Sequence, residues 1–122
     1  MNYHIYSNHD TIFALSTPYI KSGVAIIRIS GSNAFDIFSK ITIFKPDIEP
    51  RKLYITKIFS YGKESLIDQC LIVKFNNPNS FTGEDIVEIH CHGSKAIINE
   101  ILNNLSKFNL FRIAKPVEFI QW

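Results

Sequence analysis

This sequence has few of the features that mark several common protein classes. Its 122 residues include two cysteines, Cys70 and Cys91, which are too few for a disulfide framework and form no CxxC pair that would favour a zinc ribbon. It contains no run of about 20 apolar residues that could span a membrane. The polar N-terminus lacks the basic segment and the following apolar segment of a secretory signal. These absences predict a reduced, soluble protein of the cytoplasm.

Signals for phosphate and nucleic-acid binding are equally weak. The P-loop pattern GxxxxGK followed by Ser or Thr does not occur, so GTP or ATP hydrolysis by that route is not expected. Ser30-Gly31-Ser32 precedes a predicted helix and could hold a phosphate on free backbone N–H groups, although so short a pattern is not specific. Thirteen basic and eleven acidic residues give a net charge of +2, which is too small to indicate a nucleic-acid partner.

The sequence does contain enough apolar material for one compact domain. Hydrophobic residues make up 46% of the chain, aromatic residues 13% and charged residues 20%, which excludes intrinsic disorder. A chain of 122 residues corresponds to about one domain, and no repeat or linker divides it. We therefore expect residues 1–122 to form a single domain.

Apolar periodicity and turn-forming residues predict an α+β fold. Apolar runs favour strands at residues 24–30, 52–60, 66–75 and 86–91, and a further apolar segment covers 10–17. A turn near 61–63 would join two of these strands into a hairpin. Helical spacing favours helices at 33–41 and 95–108, which Ser32 and Ser94 would cap. The predicted architecture is a mixed sheet of about five strands with two main helices.

Arg28 is the first candidate functional residue, because it interrupts the apolar strand VAIIRIS. Alternation along the strand places it on one face with Val24, Ile26 and Ser30. A guanidinium on a covered face needs a carboxylate or an anionic ligand, since an unpaired buried charge is very costly. From the residues alone, an internal ion pair is favoured over a ligand contact.

The strand IVEIHCH carries the second group of candidates. Alternation places Glu88, His90 and His92 on one face, and Cys91 on the other face as a small core residue. A carboxylate and two imidazoles resemble a metal or acid–base cluster. Residues two apart on a strand lie about 6–7 Å from each other, however, so a closed metal site would need further ligands. A polar sheet face or an interface lining is favoured, and neither a metal ligand nor a catalytic residue is predicted.

The SFTGED stretch and two N-terminal histidines carry weaker signals. The stretch SFTGED at residues 80–85 could cap a turn, bind a cation or contact a partner, and turn chemistry is favoured. His4 and His9 lie in the polar N-terminal stretch, where we expect them to be solvated.

Taken together, these segments are much more specific than each is alone. In chain order they read DTIFALSTP, GVAIIRISG, PNSFTGEDIVEIHCHGS and RIAKPVEF. Their order and spacing closely resemble the N-terminal domain of the tRNA modification GTPase family MnmE, also called TrmE, over roughly residues 10–120.

The resemblance implies a fold and a function that the residues do not show by themselves. In that family the N-terminal domain is an α+β module that dimerises and binds a tetrahydrofolate derivative, typically 5-formyl-tetrahydrofolate. A helical domain with an inserted G domain follows, and that G domain uses GTP, potassium and magnesium. Together with the FAD-dependent partner MnmG, the whole enzyme modifies C5 of wobble uridine 34 in tRNA, and the folate supplies the one-carbon unit.

The resemblance also assigns two folate-binding residues. The arginine of the family's RISG motif falls on Arg28, and the second glutamate of its GEDxxE motif falls on Glu88. This match changes the favoured role of Arg28 from an ion-pair partner to a ligand contact. A third family contact, a lysine in a downstream NGK stretch, would lie beyond Trp122.

The sequence departs from the family pattern at several positions. Tyr19, Ile20 and Ser22 replace Pro, Gly and Gly, Ser94 replaces a glycine, and Val117 replaces the glycine of the PGEF motif. The sequence then ends without a helical or G domain. It therefore predicts a truncated or split form that has no GTPase activity and is not catalytic alone.

Three alternatives remain open at this point. The chain could be a non-functional remnant, or a purely structural dimerisation module that binds no ligand. It could also be an independent metal-dependent enzyme built on Glu88, His90 and His92, and the family resemblance favours this alternative least.

Overall fold

The computed structural model describes residues 10–17, 23–44, 48–76, 84–115 and 118. Several positions singled out from the sequence lie outside the described residues: His4, His9, Tyr19, Ile20, Ser22, residues 80–83 of the SFTGED stretch, and Val117.

The described residues form one six-stranded sheet. Its strands are β1 (Thr11–Leu15), β2 (Val24–Ser30), β3 (Tyr54–Phe59), β4 (Leu66–Phe75), β5 (Ile86–His92) and β6 (Phe111–Ile113). Their order across the sheet is β3-β4-β5-β2-β1-β6. The pairing of β1 with β6 is parallel and the other pairings are antiparallel. The mixed sheet of an α+β fold is therefore confirmed, with β6 as a strand that the sequence did not predict.

The predicted hairpin is also confirmed. β3 and β4 pair directly, and the backbone N–H of Lys63 donates to the carbonyl of Ser60 within the turn. Gly62 takes a positive φ of 82°, a conformation that glycine adopts without steric cost. Lys63, at φ 64°, follows it in the left-handed region.

The first helical segment is shorter than predicted, and Ser32 does not cap it. A single 3₁₀ turn (Ala34–Asp36) leads into a four-residue helix, α1 (Ile37–Lys40). The Ser32 hydroxyl donates to Oδ1 of Asn33 instead of accepting a backbone N–H. The backbone bonds here span three residues, as from Ala34 N–H to the Gly31 carbonyl, which is the spacing of a 3₁₀ turn.

The second helix, α2 (Lys95–Leu105), begins as predicted, because the Ser94 hydroxyl accepts the N–H of Ile97. It ends three residues earlier than predicted. Phe108 donates its N–H to the carbonyl of Leu105, so the chain tightens into a 3₁₀-type turn. The Phe108 ring then stacks on Phe111 of β6 at 4.7 Å between centroids. None of the helices in the described part of the chain is long and apolar enough to cross a membrane.

The two faces of the sheet differ in what covers them. On the core face, alternate residues of β2 and β5 are almost fully buried: Ala25, Ile27, Ile29, Val87, Ile89 and Cys91. They share one apolar cluster with residues of α1 and α2: Ile37, Phe38, Ile98, Ile101 and Leu105. The second face carries the intervening residues of the same strands. Exposure is graded along it, from buried Ser30 and Ile86 at one end to exposed Val24 and His92 at the other.

Arg112 on β6 joins the two ends of the described fold. Its Nε lies 2.7 Å from Oδ2 of Asp10, and its Nη2 lies 2.6 Å from Oε2 of Glu118. The hydrogen bond from Arg112 holds the pKa of the Glu118 carboxyl below its ordinary value, and burial opposes this effect. The guanidinium thus fastens the short edge strand to the residues that precede β1.

Of the three glycines Gly23, Gly31 and Gly62, Gly31 is the position that tolerates a side chain least. Its φ is 146°, and a Cβ built there would lie 2.6 Å from Oγ1 and 2.7 Å from Cα of Thr11. We expect Gly31→Ala to lower the free energy of unfolding by more than about 2 kcal/mol, because it combines backbone strain with a steric clash. Urea denaturation measures this loss.

Two control variants separate those two costs. Gly62 has a positive φ, but a Cβ added there would have nothing within 4 Å, so Gly62→Ala should cost only about 1–2 kcal/mol. Gly23 has neither constraint, and Gly23→Ala should change stability by less than about 0.5 kcal/mol. Equal losses at all three glycines would contradict this explanation.

Candidate functional site

The candidate site lies at the centre of the sheet, on its second face. Antiparallel pairing of β2 with β5 places Arg28 directly opposite Glu88. Ala14 of β1 flanks Arg28, and Val73 of β4 flanks Glu88, so the two charges form the middle of a four-strand row. The alternation of VAIIRIS and IVEIHCH puts both side chains on the face opposite the α1 and α2 helices.

Arg28 and Glu88 form a close ion pair. Nε of Arg28 donates to Oε2 of Glu88 at 2.8 Å, and Nη2 lies 2.6 Å from the same oxygen. The side chains are 19% and 9% exposed, so the pair is largely withdrawn from water. The internal ion pair favoured from the residues alone is therefore confirmed. A ligand contact by either residue stays a prediction.

The second oxygen of Glu88 has a different partner. Oε1 lies 3.1 Å from Nε2 of His90, which is the next residue along β5 on the same face. Arg28 and His90 thus occupy opposite ends of one carboxylate. This arrangement fixes the orientation of the Glu88 side chain.

The predicted grouping of Glu88, His90 and His92 divides into two separate contacts. His92 is largely exposed, and its Nδ1 lies 2.8 Å from Oδ2 of Asp68 on β4. Across the ranges that the structure describes, no three His, Cys, Asp or Glu side chains are grouped so that they could hold a metal ion.

Asp68 is a site residue that the sequence analysis missed. Burial acts to raise its pKa, but hydrogen bonds from the side chain and backbone of His92 outweigh burial and bring the pKa below its ordinary value. The available signal was a lone carboxylate within the mostly apolar strand LIDQCLIVKF. Its partner could not be foreseen, because that depends on the pairing of β4 with β5.

A shallow pocket of about 360 Å³ opens beside the ion pair. It is lined by residues from β2, β3, β4, β5 and the residue before β2: Gly23, Val24, Ile55, Gln69, Cys70, Leu71, His90, Cys91 and His92. Val24 and Ile55 are 54% and 62% exposed, which gives the pocket an apolar rim. His90 connects the pocket to the pair, because it lines the pocket and its ring contacts the Glu88 carboxylate.

The two cysteines are buried thiols. Cys70 and Cys91 are 4% and 3% exposed. Burial, with a smaller contribution from the Asp68 charge, raises the pKa of Cys91 to about 11 and raises that of Cys70 further. Both thiols are therefore protonated at neutral pH and are poor nucleophiles. The prediction that Cys91 packs as a small core residue is confirmed.

The turn after β2 uses its backbone donors within the chain. The N–H of Gly31 donates to the carbonyl of Asp85, and the N–H of Asn33 donates to Oγ1 of Thr11. The Ser30 hydroxyl donates to Oε1 of Glu84. The suggested phosphate cradle at Ser30-Gly31-Ser32 is therefore not formed by these groups. The described end of the SFTGED stretch instead anchors the start of β5 to the end of β2.

Comparison with known proteins gives the same family over almost the whole chain. The family model described as "GTP-binding protein TrmE N-terminus" matches residues 11–121. The chain is 46% identical over 110 residues to the tRNA modification GTPase MnmE of Rickettsia typhi, which covers 90% of this chain and 24% of the relative.

Two further relatives carry the same name. The MnmE of Wolbachia sp. subsp. Drosophila simulans is 48% identical over 113 residues, or 93% of this chain and 25% of the relative. That of Ehrlichia ruminantium (strain Gardel) is 49% identical over 109 residues, or 89% of this chain and 24% of the relative. The chain thus spans about a quarter of the length of these relatives. With a mixed α+β sheet and a family match over residues 11–121, this chain belongs to the family of TrmE (MnmE) N-terminal domains.

Proposed function

We propose that this domain binds a reduced folate, 5-formyl-tetrahydrofolate or another tetrahydrofolate derivative, and that it dimerises. Its role is then to present a one-carbon unit for modification of C5 of wobble uridine 34 in tRNA, together with an MnmG-like FAD protein in the cytoplasm. Residues 1–122 alone neither hydrolyse GTP nor modify tRNA, and GTP, potassium and magnesium are not ligands of this domain. The observation that carries the proposal is the Arg28–Glu88 pair on the second face of the sheet.

The chemistry of the pair fits one end of a reduced folate. The pterin edge presents neighbouring N–H donors, and an ionised carboxylate offers only acceptors, two on each of two oxygens. Arg28 and His90 leave one of these positions, on Oε1, so Glu88 suits a donor of that edge. Arg28 keeps its charge at any ordinary pH and can bond a ligand carbonyl or carboxylate.

The surroundings of the pair also suit a small organic ligand. Ligand pockets are mostly apolar, with a few polar groups that fix orientation, and they range from about 300 to 1,000 Å³. The adjoining pocket of about 360 Å³ lies at the lower end of that range and has an apolar rim. When bound, the folate would supply the one-carbon unit. The residues of this chain would bind it, orient it and exclude water from one side of it.

The same rim supports dimerisation. Val24, Ile55 and Leu71 are exposed apolar side chains beside the pocket on the second face. A second copy of the chain seated there would cover this apolar surface and close the pocket.

Calorimetric titration with 5-formyl-tetrahydrofolate tests folate binding. We expect saturable binding near one ligand per chain, and a loss of at least about tenfold in affinity for Arg28→Ala, because a charged contact withdrawn from water is lost. Glu88→Gln should weaken binding by a similar factor. Lys107→Ala, which removes an exposed cation after α2 and outside the pocket lining, is the control and should bind normally.

The opposite results distinguish the alternatives. If the wild-type chain gives no heat with ligand above about 1 mM, the proposal fails and the chain is a structural module without ligand binding. If the wild-type chain binds but Arg28→Ala and Glu88→Gln bind as well as the control does, the ligand site lies elsewhere.

Sedimentation equilibrium tests the dimer. We expect a mass of about twice 14.0 kDa for the wild-type chain, and a monomer for Ile55→Glu, because a charge at the rim would be buried in the interface. Ile113→Glu is the matched control, since Ile113 is as exposed as Ile55 but lies on the opposite edge strand. A monomeric wild-type chain at about 100 μM would contradict dimerisation through this face.

A further inference from the structure

We infer that His90 is a positioning residue, which holds the Glu88 carboxylate in its binding orientation and makes ligand binding at the Arg28–Glu88 pair depend on pH. This inference rests on the proposed function. It adds to that function a regulator of the same site that neither the family match nor the family's motifs assign.

The two oxygens of the Glu88 carboxylate have different partners. Nη2 and Nε of Arg28 both contact Oε2, at 2.6 and 2.8 Å, and the contact from His90 falls on Oε1 at 3.1 Å. Held at one oxygen only, a carboxylate can still rotate about its terminal bond. Held at both oxygens, it presents its one remaining acceptor position, on Oε1, in a fixed direction.

His90 lies between apolar neighbours, and Glu88 is its charged contact. By register, its direct neighbours across the sheet are Ile26 on β2 and Leu71 on β4, and both are apolar. Among the residues that the structure describes, the charged or titratable side chains near it on this face are Glu88 and His92 on its own strand and Arg28 diagonally across on β2. His92 contacts Asp68 through its Nδ1. Glu88 is therefore the carboxylate that a charge on His90 meets at hydrogen-bond distance.

The contact with Glu88 requires one particular tautomer of His90. A carboxylate only accepts hydrogen bonds, so a neutral His90 must carry its proton on Nε2 to bond Glu88. By the same reasoning, His92 must carry its proton on Nδ1 to bond Asp68. The two histidines, two residues apart, are thus assigned opposite tautomers.

Acid changes the charge on His90 and thereby the strength of Glu88 as a hydrogen-bond acceptor. Histidine is the side chain whose charge ordinarily changes between about pH 5 and 8. Protonation of His90 places a second cation against Glu88, beside Arg28. The carboxylate charge is then shared between two cations, so Glu88 is a weaker acceptor for the N–H donors of a ligand. Binding therefore weakens as the pH falls.

Calorimetric titration with 5-formyl-tetrahydrofolate between about pH 5.5 and 8 measures this effect. We expect wild-type affinity to fall roughly five- to tenfold over that range. In His90→Gln the amide still donates to Glu88, so affinity at pH 8 should stay within about threefold while the dependence on pH disappears. Lys107→Gln, which changes an exposed side chain outside the pocket lining, is the control and should keep the wild-type dependence. Because all three chains meet the same ligand, its own ionisation cancels from the comparison.

Nitrogen-15 NMR of the imidazole rings tests the positioning role without any ligand. At about pH 8 we expect His90 in the Nε2–H form and His92 in the Nδ1–H form. Glu88→Gln should remove the preference at His90, since an amide both donates and accepts, and leave His92 unchanged.

The possible failures are separable. Wild-type His90 in the Nδ1–H form overturns the positioning role. Parallel pH profiles for the wild-type chain and His90→Gln overturn the regulation. An absence of binding at every pH overturns the proposed function, and with it the regulation, while the tautomer of His90 still decides whether it positions Glu88.

Discussion

The antiparallel pairing of β2 with β5 is the constraint on which the core and the site both depend. The pairing runs from Val24 opposite His92 to Ser30 opposite Ile86. Because side chains alternate along a strand, this register turns one set of residues towards the helices and brings Arg28 face to face with Glu88. A slip of one residue would turn the charged set into the core and the apolar set outwards. The fold and the charge pair are therefore specified together.

The charge pair itself is an unusual element for the centre of a sheet. Withdrawing two charges from water costs free energy, and replacing a buried ion pair with apolar residues of similar volume is often neutral or stabilising. The apolar core lies on the opposite face of the sheet and does not include these charges. We propose that a ligand recognises them. The contact of His90 with the free end of Glu88 and the adjoining apolar pocket agree with that explanation.

Much of this architecture could be predicted from local sequence. The β-branched run of β2, the alternation of β5 and the cap at Ser94 are strong signals, and each is confirmed. The residues alone also favoured the ion pair, because a lone arginine in an apolar strand needs a carboxylate or an anionic ligand. The family resemblance, based on motifs in a fixed order, is confirmed over residues 11–121.

What could not be predicted depends on contacts between distant segments. β6 has three residues, too few for a periodic pattern, and it forms because it pairs with β1. The helix predicted at 33–41 is reduced because the N–H of Asn33 bonds Thr11 of β1 and the following turn tightens to 3₁₀ spacing. Likewise, the partners of Asp68 and Arg112 are set by the tertiary pairing of strands and chain ends, not by their neighbours in sequence.

The central claim is that Arg28 and Glu88 are present for binding and not for folding. The free energy of unfolding of the double variant Arg28→Met/Glu88→Leu, measured against the wild-type chain, tests it most directly. We predict that stability is unchanged or increased, because two apolar side chains replace a costly charge pair. A loss of more than about 2 kcal/mol would contradict the claim and would show that the pair maintains the fold.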